Sequence, residues 1–253
     1  MIGKVTVDRQ GKTLALNVTA KEKVLISQSK GTALFHALRR AILLREIQPD
    51  EPLTESQIGR EFSCSQGTVR EALMRLQEEG LVKRRGYRGT TASRSSMTEV
   101  VQMSEIRIKL EVEGIRRAAE VVTDKDFAEF EDHLSWMMQA LDSGDDYALS
   151  ELDRKFHLAI FHCSGLDALE PILRRCMLHM HLHTFGNPPS EILPISPETA
   201  HRPILDALHR RDPDLAAAAI SAHINRTISL GAPQLKSAMD ARRGSDQDFP
   251  LSR

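Results

Sequence analysis

Residues 65–85 read SQGTVREALMRLQEEGLVKRR, and their pattern decides the fold of the first part of the chain. Ser65 suits a helix N-cap, and Val69, Leu73 and Leu76 then recur at helical spacing. Gln66, Gly67, Thr68 and Arg70 are left on the exposed first turn and a half. A helix N-terminus offers free backbone N–H groups to phosphate, and Gln, Thr and Arg side chains reach base edges in a major groove. Gly67 lets the backbone approach closely. Upstream, Thr54-Glu55-Ser56-Gln57 has capping-box spacing and predicts a short helix through Ile58 to Phe62, with Ser63 and Cys64 forming the turn. Together these segments predict a helix-turn-helix. Gly80 stops the second helix, and residues 81–90 read as a two-stranded hairpin with a basic tip, four of positions 83–88 being Lys or Arg.

Outward from this stretch, Leu34, Leu38, Ile42 and Leu43 form a helical stripe that ends before Gln48-Pro49-Asp50-Glu51-Pro52. Residues 31–92 therefore predict a winged helix-turn-helix domain, preceded by an arm over residues 1–30. Charge supports the division: residues 1–95 carry 17 Lys+Arg against 10 Asp+Glu, whereas residues 96–253 carry 17 against 25. The basic part coincides with the DNA motif, and counterion release gives it affinity for any duplex.

Residues 34–92 resemble the winged helix of the GntR family of bacterial transcription regulators, through LTESQIGREF, TVREALMRLQEEGLV and RRGYRGT. The resemblance implies DNA contacts at Ser65, Gln66, Thr68 and Arg70 and a wing tip at Gly86, with Gly67 and Arg85 in the same interface. Gln66 stands where the family commonly has Arg, so an adenine-preferring side chain replaces a guanine reader.

After a polar linker at residues 93–96 the pattern is helical to residue 230, with six helices predicted. They begin near Thr98, Thr123, Tyr147, Ala168, Glu198 and Pro213, and short connections make an antiparallel bundle the expected architecture. A Pro-rich loop is expected at 186–197, and residues 231–253 read as a polar, disordered tail. The fold class expected is mainly α. With 253 residues there is enough chain for two cores. No apolar run predicts a membrane span or secretion, and isolated Cys64, Cys163 and Cys176 suit a reducing cytoplasm.

The third bundle helix places Asp153 and His157 four residues apart on a face that also carries Leu149, Leu152, Phe156 and Ile160. His201 shares a stripe with Ile204, Leu205 and Leu208, and His223 with Ala219, Ile220 and Thr227. Three inward imidazoles and a carboxylate suit a divalent ion, with imidazole fitting Zn or Ni and the carboxylate admitting Mn. Residues 97–230 resemble the FCD effector domain of the FadR branch, through LDRKFH, AHRPILDAL and AAISAHI. That resemblance implies Asp153, His157, His201 and His223 as metal ligands and a small organic or sugar acid as effector. Arg107, in EIRIKLE, matches a cavity-facing arginine and is placed to pair an effector carboxylate. His179 and His183 share a helix face and His181 points away from them; they read either as lining of the effector cavity or, with no acidic partner on the stripe, as an amphipathic helix edge.

The function expected is a homodimeric regulator, a repressor in the family's usual mode, that reads an inverted repeat and responds to an effector at the metal. Two alternatives are a metal-dependent hydrolase-like enzyme and a regulator for which the ion itself is the signal. No evident general base on the cluster helices argues against the enzyme.

Overall fold

The computed structural model describes residues 30–84, 86, 89–186 and 196–247. The expected arm, Arg85, most of the Pro-rich loop and the last six residues lie outside them. The chain divides between Arg94 and Ser95 into two compact units.

The first unit holds α1 (Lys30–Leu43), β1 (Pro52–Leu53), α2 (Glu55–Glu61), α3 (Gln66–Glu78), β2 (Val82–Arg84) and β3 (Thr90–Ala92). Leu34, Leu38 and Ile42 of α1 and Val69, Leu73 and Leu76 of α3 bury their side chains in one core, as the stripes require. Gly59 of α2 permits the tight turn, because a Cβ there would stand 3.0 Å from the Cys64 carbonyl oxygen. Gly80 leaves α3 at φ +78°, the left-handed conformation that commonly ends helices. The wing is larger than the expected hairpin. β1 pairs with the far side of β3, giving the antiparallel order β1-β3-β2. Two residues are too short a strand to show a period, which hid β1 from the sequence. Thr54 precedes α2 but makes no side-chain cap, so the expected box does not form; the Gln57 amide instead donates to Glu61 Oε1 at 3.2 Å.

The second unit contains seven α-helices among the described residues: α4 (Met97–Val121), α5 (Asp124–Asp142), α6 (Asp146–His162), α7 (Glu170–Gly186), α8 (Pro197–His209), α9 (Pro213–Gly231) and α10 (Pro233–Gln247). Its starts are chemically specified. Ser96 with Glu99 and Thr123 with Asp126 form reciprocal capping boxes, and Asp145 and Asp212 cap α6 and α9. Ile115, Phe130, Phe156, Ile204, Leu205, Ile220 and Ile224 share one core. Gly114 lets α6 close on α4, since a Cβ at that position would lie 2.5 Å from the Phe161 ring.

The tail after Gly231 is not disordered up to Gln247, as its polarity suggested: it forms α10. Leu235 and Met239, four residues apart, insert into the core beside Ala232. Each such burial is worth about 1.5–3 kcal/mol, so a two-residue stripe outweighs a polar average. Cys64, Cys163 and Cys176 are free thiols, and burial first, aided at Cys163 by Asp126 and Glu129, pushes Cys163 and Cys176 up to about 11.

Candidate metal centre and nucleic-acid interface

The exposed start of α3 is built by local chemistry. Ser65 Oγ accepts from Thr68 N at 3.2 Å and lies 2.9 Å from Thr68 Oγ1, which fixes the cap and leaves Gln66 and Gly67 exposed. Arg70 is exposed too, but it is not idle: Nε and Nη2 donate to the two Glu55 carboxylate oxygens at 3.3 and 3.0 Å. Glu55 therefore pairs with the Arg70 guanidinium, a contact the sequence did not reveal. Gly86 sits exposed at φ +56° with open space around the position a Cβ would take, so the wing tip is unobstructed.

In the helical unit, Asp153 and His157 from α6, His201 from α8 and His223 from α9 place one ligand-type atom each within 4.8 Å of the others. The three imidazoles are buried and Asp153 is partly so. Each ring is pinned by its outer nitrogen. His157 Nδ1 lies 2.5 Å from Glu111 Oε2, His201 Nδ1 lies 2.8 Å from the Pro197 carbonyl and His223 Nδ1 lies 3.1 Å from the Ala200 carbonyl. Carbonyls only accept. Burial works to raise the Glu111 carboxyl, yet the Arg107 guanidinium, followed by His157, holds it down to about 2, so it also only accepts. All three Nδ1 atoms are therefore donors.

This fixes what faces inward. His157 Nε2 and His223 Nε2 stand 3.2 Å apart, and His201 Nε2 stands 3.1 Å from Asp153 Oδ1. Burial, then His201 and His157, push the His223 imidazole well below the histidine range. Burial works to raise the Asp153 carboxyl, and the surrounding imidazoles, His201 first, hold it well below the carboxylate range. Neutral rings would direct three lone pairs and a carboxylate at one another. Positive charge, as added protons or a metal ion, reconciles them. Outer N–H groups bonded to carbonyl or carboxylate are also what orients metal-ligating histidines. The donor set fits a divalent ion.

Arg107 is buried, with Nε donating to Glu111 Oε1 at 2.6 Å. It thus stands behind the cluster, holding the carboxylate that holds His157. Glu111 was missed in the sequence, although its spacing of four from Arg107 on α4 was a usable sign. His181 also differs from expectation: its partners come from α6, where Ser150 Oγ lies 2.9 Å from Nδ1, Arg154 Nη1 contacts the same nitrogen, and Asp153 Oδ2 lies 4.0 Å from Nε2. Burial first, then Arg154, push the His181 imidazole well below its ordinary range.

Residues 30–91 match the gntR family of bacterial regulatory proteins, and residues 102–226 match the FCD domain. The chain belongs to the GntR family, with an FCD domain. The HTH-type transcriptional repressor RspR of Escherichia coli is 28% identical over 225 residues, covering 87% of this chain and 96% of RspR. Among solved structures, E. coli McbR/YncC superposes with a TM-score of 0.66 at 22% identity, covering 82% of this chain and 99% of that one. A GntR regulator from Rhodococcus sp. RHA1 gives 0.64 at 19% identity, covering 88% and 100%. This GntR protein is a transcriptional regulator, and its family and relatives are regulators rather than enzymes. Among the described residues no helix is long and apolar enough to cross a membrane.

Proposed function

We propose that this regulator binds an inverted-repeat operator as a homodimer and represses from it. Gln66, Gly67, Thr68 and Arg70 on α3, with Ser65 fixing the helix start, meet the major groove, and Arg85 and Gly86 of the wing meet the neighbouring backbone and minor groove. The FCD unit controls this binding through Asp153, His157, His201 and His223, which hold a divalent ion, zinc being the one that three imidazoles and a carboxylate suit first. When bound, the ion supplies a Lewis-acidic floor with positions open to carboxylate oxygens. The observation that carries the reading is the inward convergence of the three Nε2 atoms while every Nδ1 is anchored outward.

Charge explains why the effector is an acid. Arg107 and Arg154 face Glu111, Asp153 and Glu151, so the buried charges around the cluster, with neutral imidazoles, leave one negative unit. A divalent ion turns this to one positive, which a monocarboxylate neutralises. Arg107 favours the anion as a fixed charge behind the site. Effector occupancy favours one arrangement of the bundle, and α4 carries the change to the spacing of the two reading heads.

Elemental analysis with native mass spectrometry of the purified protein tests this. About one divalent ion per chain, lost in His223→Ala, is expected, and a retained small acid would give the effector class. Absence of metal after mild purification and after zinc addition would overturn the metal reading while leaving DNA binding to a separate operator titration.

A further inference from the structure

The recognition surface of the first unit sets a carboxylate beside its guanidinium groups. Glu55 is the first residue of α2, and Arg70 of α3 donates to it in parallel, Nε to Oε1 at 3.3 Å and Nη2 to Oε2 at 3.0 Å. The pair is open to an outside partner, with the Arg70 side chain 56% exposed and that of Glu55 26%. Hydrogen bonding from Arg70 first, with the charges of Arg70 and of Arg84 on β2, holds the Glu55 carboxyl below its ordinary range, so this group accepts and does not donate. A guanidinium carries five N–H donors in one plane. Glu55 occupies the side edge, made by Nε and Nη2. The end edge, made by Nη1 and the second hydrogen of Nη2, meets no acceptor among the described residues.

DNA restricts what Arg70 can do next. If Arg70 swung to a phosphate, Glu55 would be left as an unpaired anion beside a polyanion. The conformation that keeps Glu55 paired offers the duplex the two parallel donors of the end edge. In the major groove guanine presents two acceptors, O6 and N7, whereas adenine presents an acceptor and a donor, thymine one acceptor beside its methyl group, and cytosine a donor.

We infer that Glu55 is a specificity-determining residue, which by occupying the side edge of Arg70 makes that arginine a reader of guanine instead of a phosphate contact. This rests on the reading above that α3 enters the major groove. Each operator half-site then carries a guanine opposite Arg70. Gln66, four residues earlier and exposed, presents the paired donor and acceptor that suit adenine, so the two side chains read different bases from one helix face.

The test starts from a randomised duplex library, from which full-length wild type, Glu55→Gln and Arg70→Lys each select their preferred sites; the wild-type consensus then supplies a labelled duplex for fluorescence anisotropy. Wild type should enrich a guanine at one position of each half-site. Arg70→Lys keeps the charge but loses the planar fork, so that preference should vanish while affinity for random duplex stays within about twofold. Replacing the guanine by 7-deazaguanine, which lacks the N7 acceptor, should cost wild type about fivefold or more. In Glu55→Gln the same replacement should cost no more than about twofold, and affinity should rise more for random duplex than for the selected one. A merely structural Glu55 would change affinity for all duplexes alike and leave the 7-deazaguanine penalty unmoved, which would overturn the inference. Guanine preference surviving in Arg70→Lys would assign that base to another side chain and overturn it equally, as would a selected site with no preferred guanine. If wild type enriches no sequence, the operator reading itself fails; if it enriches a site that neither substitution alters, only the roles of Glu55 and Arg70 fail.

Discussion

The two units of this regulator build their functional surfaces in opposite ways. At the start of α3 the groups are exposed and held by neighbours: the Ser65 to Thr68 cap spans three positions. In the FCD unit the groups are largely buried and come from three helices besides Glu111 on α4, with side-chain partners 46 to 66 positions apart. A reading head must meet an outside partner, so it is an exposed helix end whose geometry a cap suffices to set. A metal pocket must exclude water and fix several ligands at once, so it draws on the packing of a whole bundle.

The largest expected break between the two is His201→Ala, which removes one of the proposed ligands and the ring that meets Asp153 at 3.1 Å. Metal content falls from about one per chain to background, while operator affinity of the metal-free protein, measured by fluorescence anisotropy, stays near that of metal-free wild type. Full metal occupancy would show that the ligand set is wrong. Next is Arg107→Ala, which leaves the buried Glu111 without its guanidinium partner. Loss of about 3–5 kcal/mol of stability is expected, confined to the second unit's unfolding transition in calorimetry. Effector binding lost in this variant would not by itself identify a ligand contact.

Glu111→Gln keeps the shape of the side chain but removes the charge that fixes His157 Nδ1–H. Metal affinity should drop about 10–100-fold, as read by competition with a chelator, and DNA binding by the apo protein should not change. A variant with wild-type metal affinity would mean that ring packing alone orients His157. On the other side of the comparison, Arg70→Ala should weaken operator binding roughly tenfold and leave metal content unaltered. If it lowered metal content, the two surfaces would not be separable. The smallest effect expected is from Glu55→Gln, which frees Arg70 from its carboxylate and removes a negative charge near phosphate. Affinity for DNA of any sequence should rise about two- to fivefold, with a steeper salt dependence; weaker binding would mean that Glu55 aims Arg70 productively.

Legibility in the sequence followed the same divide. Helical stripes and caps placed most helices within a residue or two of where they lie, because periodicity and capping are properties of adjacent residues. The four ligand-type residues were legible because each polar side chain interrupts an apolar face. Residues with short or cross-chain signals were not. β1 has two residues and gains its strand only by pairing with β3. α10 reads as polar because only Leu235 and Met239 face the core. His181 seemed to lack an acidic partner because that partner, Asp153, is on α6 and not on its own stripe.

The sequence by itself determined a capped recognition helix followed by a wing, a second all-helical unit, and the identities of a carboxylate and three imidazoles on inward faces. Only the tertiary structure decided what each ring does. An imidazole is a ligand or a donor according to which nitrogen meets an acceptor, and those acceptors, Glu111 on α4 and the carbonyls of Pro197 and Ala200 in α8, are brought to the rings by packing.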